Sequence, residues 1–237
     1  MPPTARDWTA GRRSISSRMD RGIRTVLTAW LYERLYRELA ALYGPVSWII
    51  SGGRWRRWQR GILPFLRGTR ILEIGCGPGY LLALLLGAGL TAYGLDRSPA
   101  MCRRARRYCR HLATPGRIVQ AEARAIPFGP ASFDSLVLTF PAGYLLDPAF
   151  WNEAHRVLRR DGRMIVLLGA RSEARLWPRL LEEIWQWVSG TSSGPHWPSL
   201  LHGFRIQPVR LRTPDGTLDL LIADAARPAE ESAQRLT

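Results

Sequence analysis

With 237 residues, 46% of them hydrophobic, the chain is long enough for one domain with a full apolar core plus an appendage, and short for two independent enzymatic domains. Its formal charge of +15 arises from 34 basic side chains, every one an arginine, against 19 acidic ones; this raises nucleic acid or an anionic membrane as a partner, and the lack of lysine equally suits a compositional bias with a solvated face. A membrane-spanning helix is excluded because no apolar run reaches roughly 20 residues, and three cysteines without CxxC spacing supply neither a disulfide framework nor a metal site.

Residues 1–21 are polar, rich in Arg and Ser and aperiodic, which predicts a mobile basic tail. Arg12-Arg13 is followed by no apolar stretch, so export is not expected and a reducing cytoplasm is. Residues 22–67 read as a helical extension. Ile23, Val26, Leu27, Trp30, Leu31, Leu35, Leu39 and Leu42 recur at helical spacing up to Tyr43-Gly44-Pro45. A second helix is predicted from about Gly53 to Leu66, with Trp55, Trp58, Ile62 and Phe65 on one side, Arg54, Arg56, Arg57 and Arg60 around it, and Pro64 kinking or ending it. Such a helix either lays its Trp face on the core as a lid, or sets its rings and guanidinium groups at an anionic lipid interface; the two roles are compatible.

Residues 68–225 alternate short β-prone runs with helical stretches, the pattern of an α/β domain with a doubly wound, mainly parallel sheet. Seven strands are predicted, near Arg70–Ile74, Thr91–Leu95, Arg117–Ala121, Ser135–Thr139, Met164–Leu168, Arg205–Arg212 and Thr217–Ala223. Helices fall near Gly79–Gly87, Pro99–Leu112, Pro148–Arg159 and Glu173–Val188. Pro214-Asp215-Gly216 joins the last two strands as an antiparallel hairpin, and residues 226–237 form a tail.

Between the first strand and the first helix of this domain stands Leu72-Glu73-Ile74-Gly75-Cys76-Gly77-Pro78-Gly79-Tyr80. Alternate glycines let the backbone turn sharply and approach a ligand, so the loop reads as a cofactor cradle. The spacing is GxGxG, where a dinucleotide site wants GxGxxG, and Glu73 two residues before the first glycine would repel a pyrophosphate while suiting a ligand with an ammonium and a sulfonium. S-adenosylmethionine (SAM) is such a ligand. Asp96, closing the second strand about twenty residues on, can accept both hydroxyl protons of a ribose; its alternative role, capping the helix at Pro99, is better filled by Ser98. Glu122, after the third strand, is a candidate acceptor for an adenine edge, and Thr139 ends the fourth strand at the same side of the sheet.

LEIGCGPGY, GLD, AEARAIPF, SFDSLVL and the run from Glu153 to Arg163 together resemble the class I SAM-dependent methyltransferases, in particular the small-molecule group called type 11, over about Arg70 to Gly169. The resemblance implies a Rossmann-like fold and SAM as the cofactor, with S-adenosylhomocysteine as product. It implies that Glu73, Gly75, Gly77 and Gly79, with Cys76 and Tyr80 between and after them, line the methionine end. Asp96 would hold the ribose with Arg97 and Met101 nearby, Glu122 and Ala123 would face the adenine, and Thr139 would border the site. The family's usual Asp-Ala-Glu after the third strand is here Glu122-Ala123-Arg124.

Methyl transfer from a sulfonium needs alignment and exclusion of water more than a covalent catalyst, so the catalytic residue is left unassigned. Thr139-Phe140-Pro141-Ala142-Gly143-Tyr144 is not the Asn/Asp-Pro-Pro-Tyr/Phe signature of base-amine methylation, which disfavours nucleic acid. The segment from Leu42 to Trp58 resembles, more loosely, the one ahead of the core in ubiquinone/menaquinone biosynthesis C-methyltransferases, although the loop after the fourth strand differs from theirs. That implies a small, hydrophobic or lipid-tailed acceptor methylated at carbon or oxygen, and peripheral contact with an anionic membrane. Substrate-side candidates are Trp48, Tyr144, His196 and His202; His155 reads as structural. An RNA or protein methyltransferase recruited by arginines is the competing expectation, a non-enzymatic SAM-binding module the third.

Overall fold

The structure is a computed structural model described over residues 53–112, 117–141, 143–171 and 197–225, all within one unit, Gly44–Thr237. The predicted tails, the first extension helix, the helix over 173–188, Trp48 and His196 lie outside the described residues.

The elements are α1 (Trp55–Arg60), a 3-10 turn (Leu63–Phe65), β1 (Arg70–Ile74), α2 (Tyr80–Gly87), β2 (Thr91–Asp96), α3 (Pro99–Cys109), β3 (Arg117–Gln120), β4 (Phe133–Thr139), a second 3-10 turn (Gly143–Leu146), α4 (Pro148–Val157), β5 (Leu158–Arg171), β6 (Leu200–Leu201), β7 (Phe204–Thr213) and β8 (Gly216–Ala225). They form a single sheet in the order β3-β2-β1-β4-β5-β8-β7-β6. The first five strands are mutually parallel, and β8, β7 and β6 are antiparallel to their neighbours. Strand order reverses between β1 and β4, and the crevice beyond the carboxyl ends of those strands is where an open α/β sheet takes a ligand.

Eight strands stand where the sequence predicts seven. The extra one is the two-residue β6, too short to carry an alternation signal; it folds back on β7 through His202, which adopts a left-handed φ of 47°. β5 is also longer than expected, because α4 stops at Val157 and the chain enters the sheet before Asp161-Gly162, with Asp161 at φ 65°.

Helix starts follow local chemistry. Ser98 accepts the Met101 amide and Asp147 the Ala149 amide, each followed by a proline at the first helical position, where no N–H is needed. Leu81, Leu82 and Leu85 on α2 are wholly buried, filling the layer above β1 and β2 together with Cys102 and Ala105 of α3. On the other face Phe133, Phe150, Trp151 and Phe204 dominate, and Trp151 Nε1 donates to the Leu145 carbonyl at 2.8 Å.

The helix predicted over 53–66 is two pieces, α1 and the 3-10 turn, the second containing Pro64. Its tryptophan face packs inward and its arginines point out: Trp55, Trp58 and Ile62 are buried, Arg56, Arg57 and Arg60 exposed. Trp58 donates through Nε1 to the Asp215 carbonyl at 3.2 Å, and the Arg67 amide donates to Ser135 Oγ at 2.8 Å. Trp58 and Ile62 thus belong to the same core cluster as the helices and strands that follow.

Candidate functional site

Gly75, Gly77 and Gly79 have φ of 74°, 50° and 83°, a left-handed backbone that only glycine adopts without strain. The loop is pinned from β2: the Gly75 and Cys76 amides both donate to the Leu95 carbonyl, at 2.7 and 3.0 Å. A Cβ on Gly79 would press against Ala105 at 3.0 Å and Cys109 Sγ at 3.3 Å, so this glycine is needed for helix packing. A Cβ on Gly77 would meet nothing within 4 Å; the space beside it is open, as a cradle for a ligand requires. Over Gly75 stands the Tyr144 hydroxyl, 3.3 Å from where a Cβ would sit.

Two buried carboxylates lie beneath this loop. Asp96 accepts the Gly77 amide on one oxygen and the Ser98 amide on the other, both at 2.8 Å, which ties the cradle to the end of β2 and leaves each oxygen a second lone pair. Glu73, only 1% exposed, faces the backbone of Leu82 in the first turn of α2. Its Oε2 has no hydrogen-bond partner among the described residues. Burial, reinforced by the neighbouring Asp96 charge, pushes the Glu73 carboxyl well above the ordinary glutamate range. Burial also raises Asp96, opposed by its two amides and Arg97. A buried pair of acids, one with an orphaned oxygen, under a loop with open space at Gly77 suits a cationic group better than a pyrophosphate.

The other expected cofactor residues are distributed as follows. Thr139 ends β4 next to Gly75, since β1 and β4 pair up to Ile74 and Leu138. Glu122 is exposed just beyond β3, whose register places Gln120 beside Asp96, and Ala123 is half-buried after it. Arg97 is exposed next to Asp96. Met101 is 0% exposed and packed in the core, where its amide caps on Ser98; it presents no surface to the cradle. Cys76 is likewise buried, its sulfur against Gly94, and the Tyr80 ring packs edge-on against Tyr108 at 5.0 Å on the outer face.

Of the two substrate-side candidates among the described residues, Tyr144 stands at the cradle and His202 does not. His202 turns the chain at the opposite end of the sheet, where β7 begins and β8 ends, with its ring stacked on Trp151 at 6.2 Å. The hairpin direction explains the misplacement: β7 runs toward the cradle, so the residues preceding it start from the far edge. His155 packs edge-on against Phe204 at 5.6 Å, in keeping with a structural role.

Two contributions were not singled out from sequence. Glu153 and Arg156, one turn apart on α4, clamp the loop after β3: Glu153 accepts the Ile126 amide at 2.7 Å, and Arg156 donates to the Ile126 and Phe128 carbonyls at 2.8 and 2.7 Å. Their i,i+3 spacing of opposite charges was the available signal. The second is the aromatic wall made by Trp55 stacked on Phe140 at 4.4 Å, immediately after Thr139. Behind the cradle, Cys102 Sγ donates to the Asp96 carbonyl at 3.4 Å and Cys109 Sγ to the Gly79 carbonyl at 3.7 Å. Burial pushes the Cys109 thiol up to about 11 and raises Cys76 and Cys102 as well, so these thiols pack as small hydrophobes and are poor nucleophiles.

A family profile described as a methyltransferase domain matches residues 72–166. The ubiquinone/menaquinone biosynthesis C-methyltransferase of Geotalea uraniireducens is 29% identical over 144 residues, which span 57% of this chain and 61% of that protein. An uncharacterized methyltransferase of Synechocystis is 32% identical over 164 residues, 66% of this chain and 74% of its own length. The chain thus spans about three-fifths of the quinone enzyme. Among solved structures, a SAM-dependent methyltransferase from Thermotoga maritima shares the fold with a TM-score of 0.51 at 15% identity, covering 78% of this chain and 97% of that one.

Proposed function

Because the chain belongs to the SAM-dependent methyltransferases, we propose that it transfers the SAM methyl group to a ring carbon of a small, hydrophobic, lipid-tailed aromatic acceptor of the quinol-precursor class. The observation that carries this reading is the composition of the rim beside the cradle: the Trp55–Phe140 stack and the Tyr144 hydroxyl over Gly75 present a flat apolar wall with one hydroxyl. Such a wall suits a hydroxylated ring, and the name of the Geotalea relative supports the same class.

When bound, SAM supplies an electrophilic methyl on a sulfonium. Glu73 and Asp96 fit its positive charge and its ribose, and the open space at Gly77 lets the backbone lie against it. The remaining work of the protein is positional. Trp55 and Phe140 hold the acceptor ring and keep water off the edge of the cradle. Tyr144, its ring braced on Phe150 at 5.2 Å, offers its hydroxyl oxygen to accept the acceptor's phenolic O–H, which keeps the ring carbon electron-rich as the methyl leaves sulfur for it; the ring hydrogen at that carbon is then lost as a proton to solvent.

Incubating the full chain with methyl-labelled SAM and a short-tailed demethylmenaquinol tests this. The expected product carries label on a ring carbon and gains the mass of one methyl group. Absence of label in any quinol, with label appearing in host RNA or protein, refutes the acceptor class.

A further inference from the structure

α1, α2 and α3 cover one face of the sheet, and their sequences, WRRWQR, YLLALLLG and PAMCRRARRYC, contain no acidic residue. Elsewhere, many arginines face acids: Arg163 and Arg67 on Asp224, Arg156 on Glu153, Arg159 on Asp134, Arg210 on Asp219, Arg124 on Asp147. On this face Arg56, Arg60, Arg103 and Arg107 are exposed. Among the described residues this face thus carries a cluster of exposed arginines on helices that hold no acid of their own, with Arg57 paired to Asp215 at its edge.

The helices are joined into one surface by aromatic side chains. The Arg56 guanidinium lies 4.9 Å from the Tyr80 ring and 5.5 Å from Tyr108. Tyr108, 40% exposed, is the exposed large hydrophobic residue among the described residues. Between the basic flanks α2 offers Ala83 and Leu84, both half-buried. A half-buried apolar strip with tyrosines at its border and guanidinium groups on both sides matches the layering of a bilayer interface.

We propose that the α1–α3 face is a docking surface for an anionic lipid bilayer, with Tyr80 and Tyr108 at headgroup level and Arg56, Arg60, Arg103 and Arg107 on lipid phosphates. Tyr80 directly follows Gly79, so the docked face begins at the edge of the cofactor cradle. Only the purpose of this arrangement, delivery of a lipid-tailed acceptor to the site, rests on the acceptor proposed above.

Vesicle co-sedimentation of the full chain measures the surface directly, using phosphatidylglycerol-containing and pure phosphatidylcholine vesicles at low and physiological salt. A triple variant, Arg56→Gln, Arg103→Gln and Arg107→Gln, is compared with an equally neutralised control, Arg124→Gln, Arg210→Gln and Arg212→Gln, drawn from outside α1–α3. The expected result is binding to anionic vesicles only, weakened by added salt, with the α1–α3 variant losing at least about tenfold in partitioning and the control less than about twofold. Tyr108→Ser should weaken binding without any change of charge. Equal losses in both triple variants, no preference for anionic vesicles, or loss of tRNA binding instead of vesicle binding overturns the proposal. SAM affinity, measured by calorimetry on the same variants, stays unchanged if they are folded, so failure to dock is distinguishable from failure of the methyltransferase reading.

Discussion

Glu73→Gln separates what the cradle needs for binding from what the fold needs for stability. In the cofactor-free protein Glu73 is buried, its carboxyl is raised by burial and by Asp96, and Oε2 lacks a partner. A raised folded-state value means that the folded chain holds a proton which the unfolded chain releases at about pH 4.3. Between that pH and the raised value the folded state binds more protons, so stability falls as pH rises. Removing the charge ends this loss: the amide that takes its place is still a buried polar group, but it spares the folded state a buried charge, whose burial costs more than the roughly 1–3 kcal/mol of a neutral unpaired group. The variant should therefore melt a few degrees higher than wild type at pH 8 without ligand, at roughly 2–4 °C per kcal/mol, and lose the fall in stability above pH 5. Cofactor binding should move the other way. Loss of a charged acceptor for the ammonium costs about 1.5–3 kcal/mol, or roughly 10- to 150-fold in Kd. Scanning calorimetry from pH 5 to 8 and titration calorimetry with SAM read both effects. A variant that melts lower than wild type at pH 8 and binds SAM equally well refutes the assignment of Glu73 as a buried acid held for a cationic ligand.

The cradle glycines should divide by role. Gly79→Ala meets Ala105 and Cys109 and should lower the melting temperature, whereas Gly77→Ala, with open space around its Cβ, should leave the protein folded with about 1 kcal/mol of backbone strain while blocking SAM in titration calorimetry. Asp96→Ala removes the acceptor for the Gly77 and Ser98 amides and should weaken SAM binding by about tenfold or more while also lowering the melting temperature. For the aromatic wall, Trp58→Ala should cost about 3–5 kcal/mol in denaturant unfolding because Trp58 is a core residue. Trp55→Phe should keep the stack on Phe140 and near-normal turnover, whereas Trp55→Ala should raise the acceptor KM more than it lowers SAM affinity.

The parts legible in the sequence are those in which one short segment carries both the geometry and the chemistry. The glycine loop with Glu73, the strand-end Asp96 and the proline-initiated helices each announce themselves within ten residues, and the mainly parallel sheet follows from the alternation of elements. The parts that were not legible depend on register between distant segments. His202 looked close to the site along the chain, and the antiparallel direction of β7 puts it at the far edge. Met101 lies near Asp96 in sequence, yet the pitch of α3 turns it into the core. The clamp of Glu153 and Arg156 on Ile126 and Phe128 joins residues about thirty apart, so their i,i+3 spacing shows that the two charges pair on one helix but not which segment they hold. For Trp55 and Trp58 the sequence offers either a Trp face laid on the core or a lipid interface, because amphipathicity shows that a helix has an apolar face without showing what covers it; both rings are buried in the structure.

Arginine outside and carboxylate inside assign opposite electrostatic tasks to two layers of one molecule. SAM is cationic, and a chain of charge +15 would repel it if net charge governed binding. Exposed charges are screened over about 8 Å at physiological salt, however, while the buried Glu73 and Asp96 would act on a ligand in the proposed cradle at contact distance, in a medium that salt penetrates poorly. Local sign therefore overrides global sign in the cradle, and the arginine face remains free to act on a partner outside. The two layers should consequently answer salt differently. Raising ionic strength from 0.05 to 0.5 M should change SAM affinity less than about threefold and should release the protein from anionic vesicles almost completely. Both responses can be followed on one preparation, by calorimetry and by sedimentation. A steep loss of SAM affinity over the same range would mean that the cradle is reached by solvent ions, which is incompatible with a Glu73 carboxylate held 1% exposed.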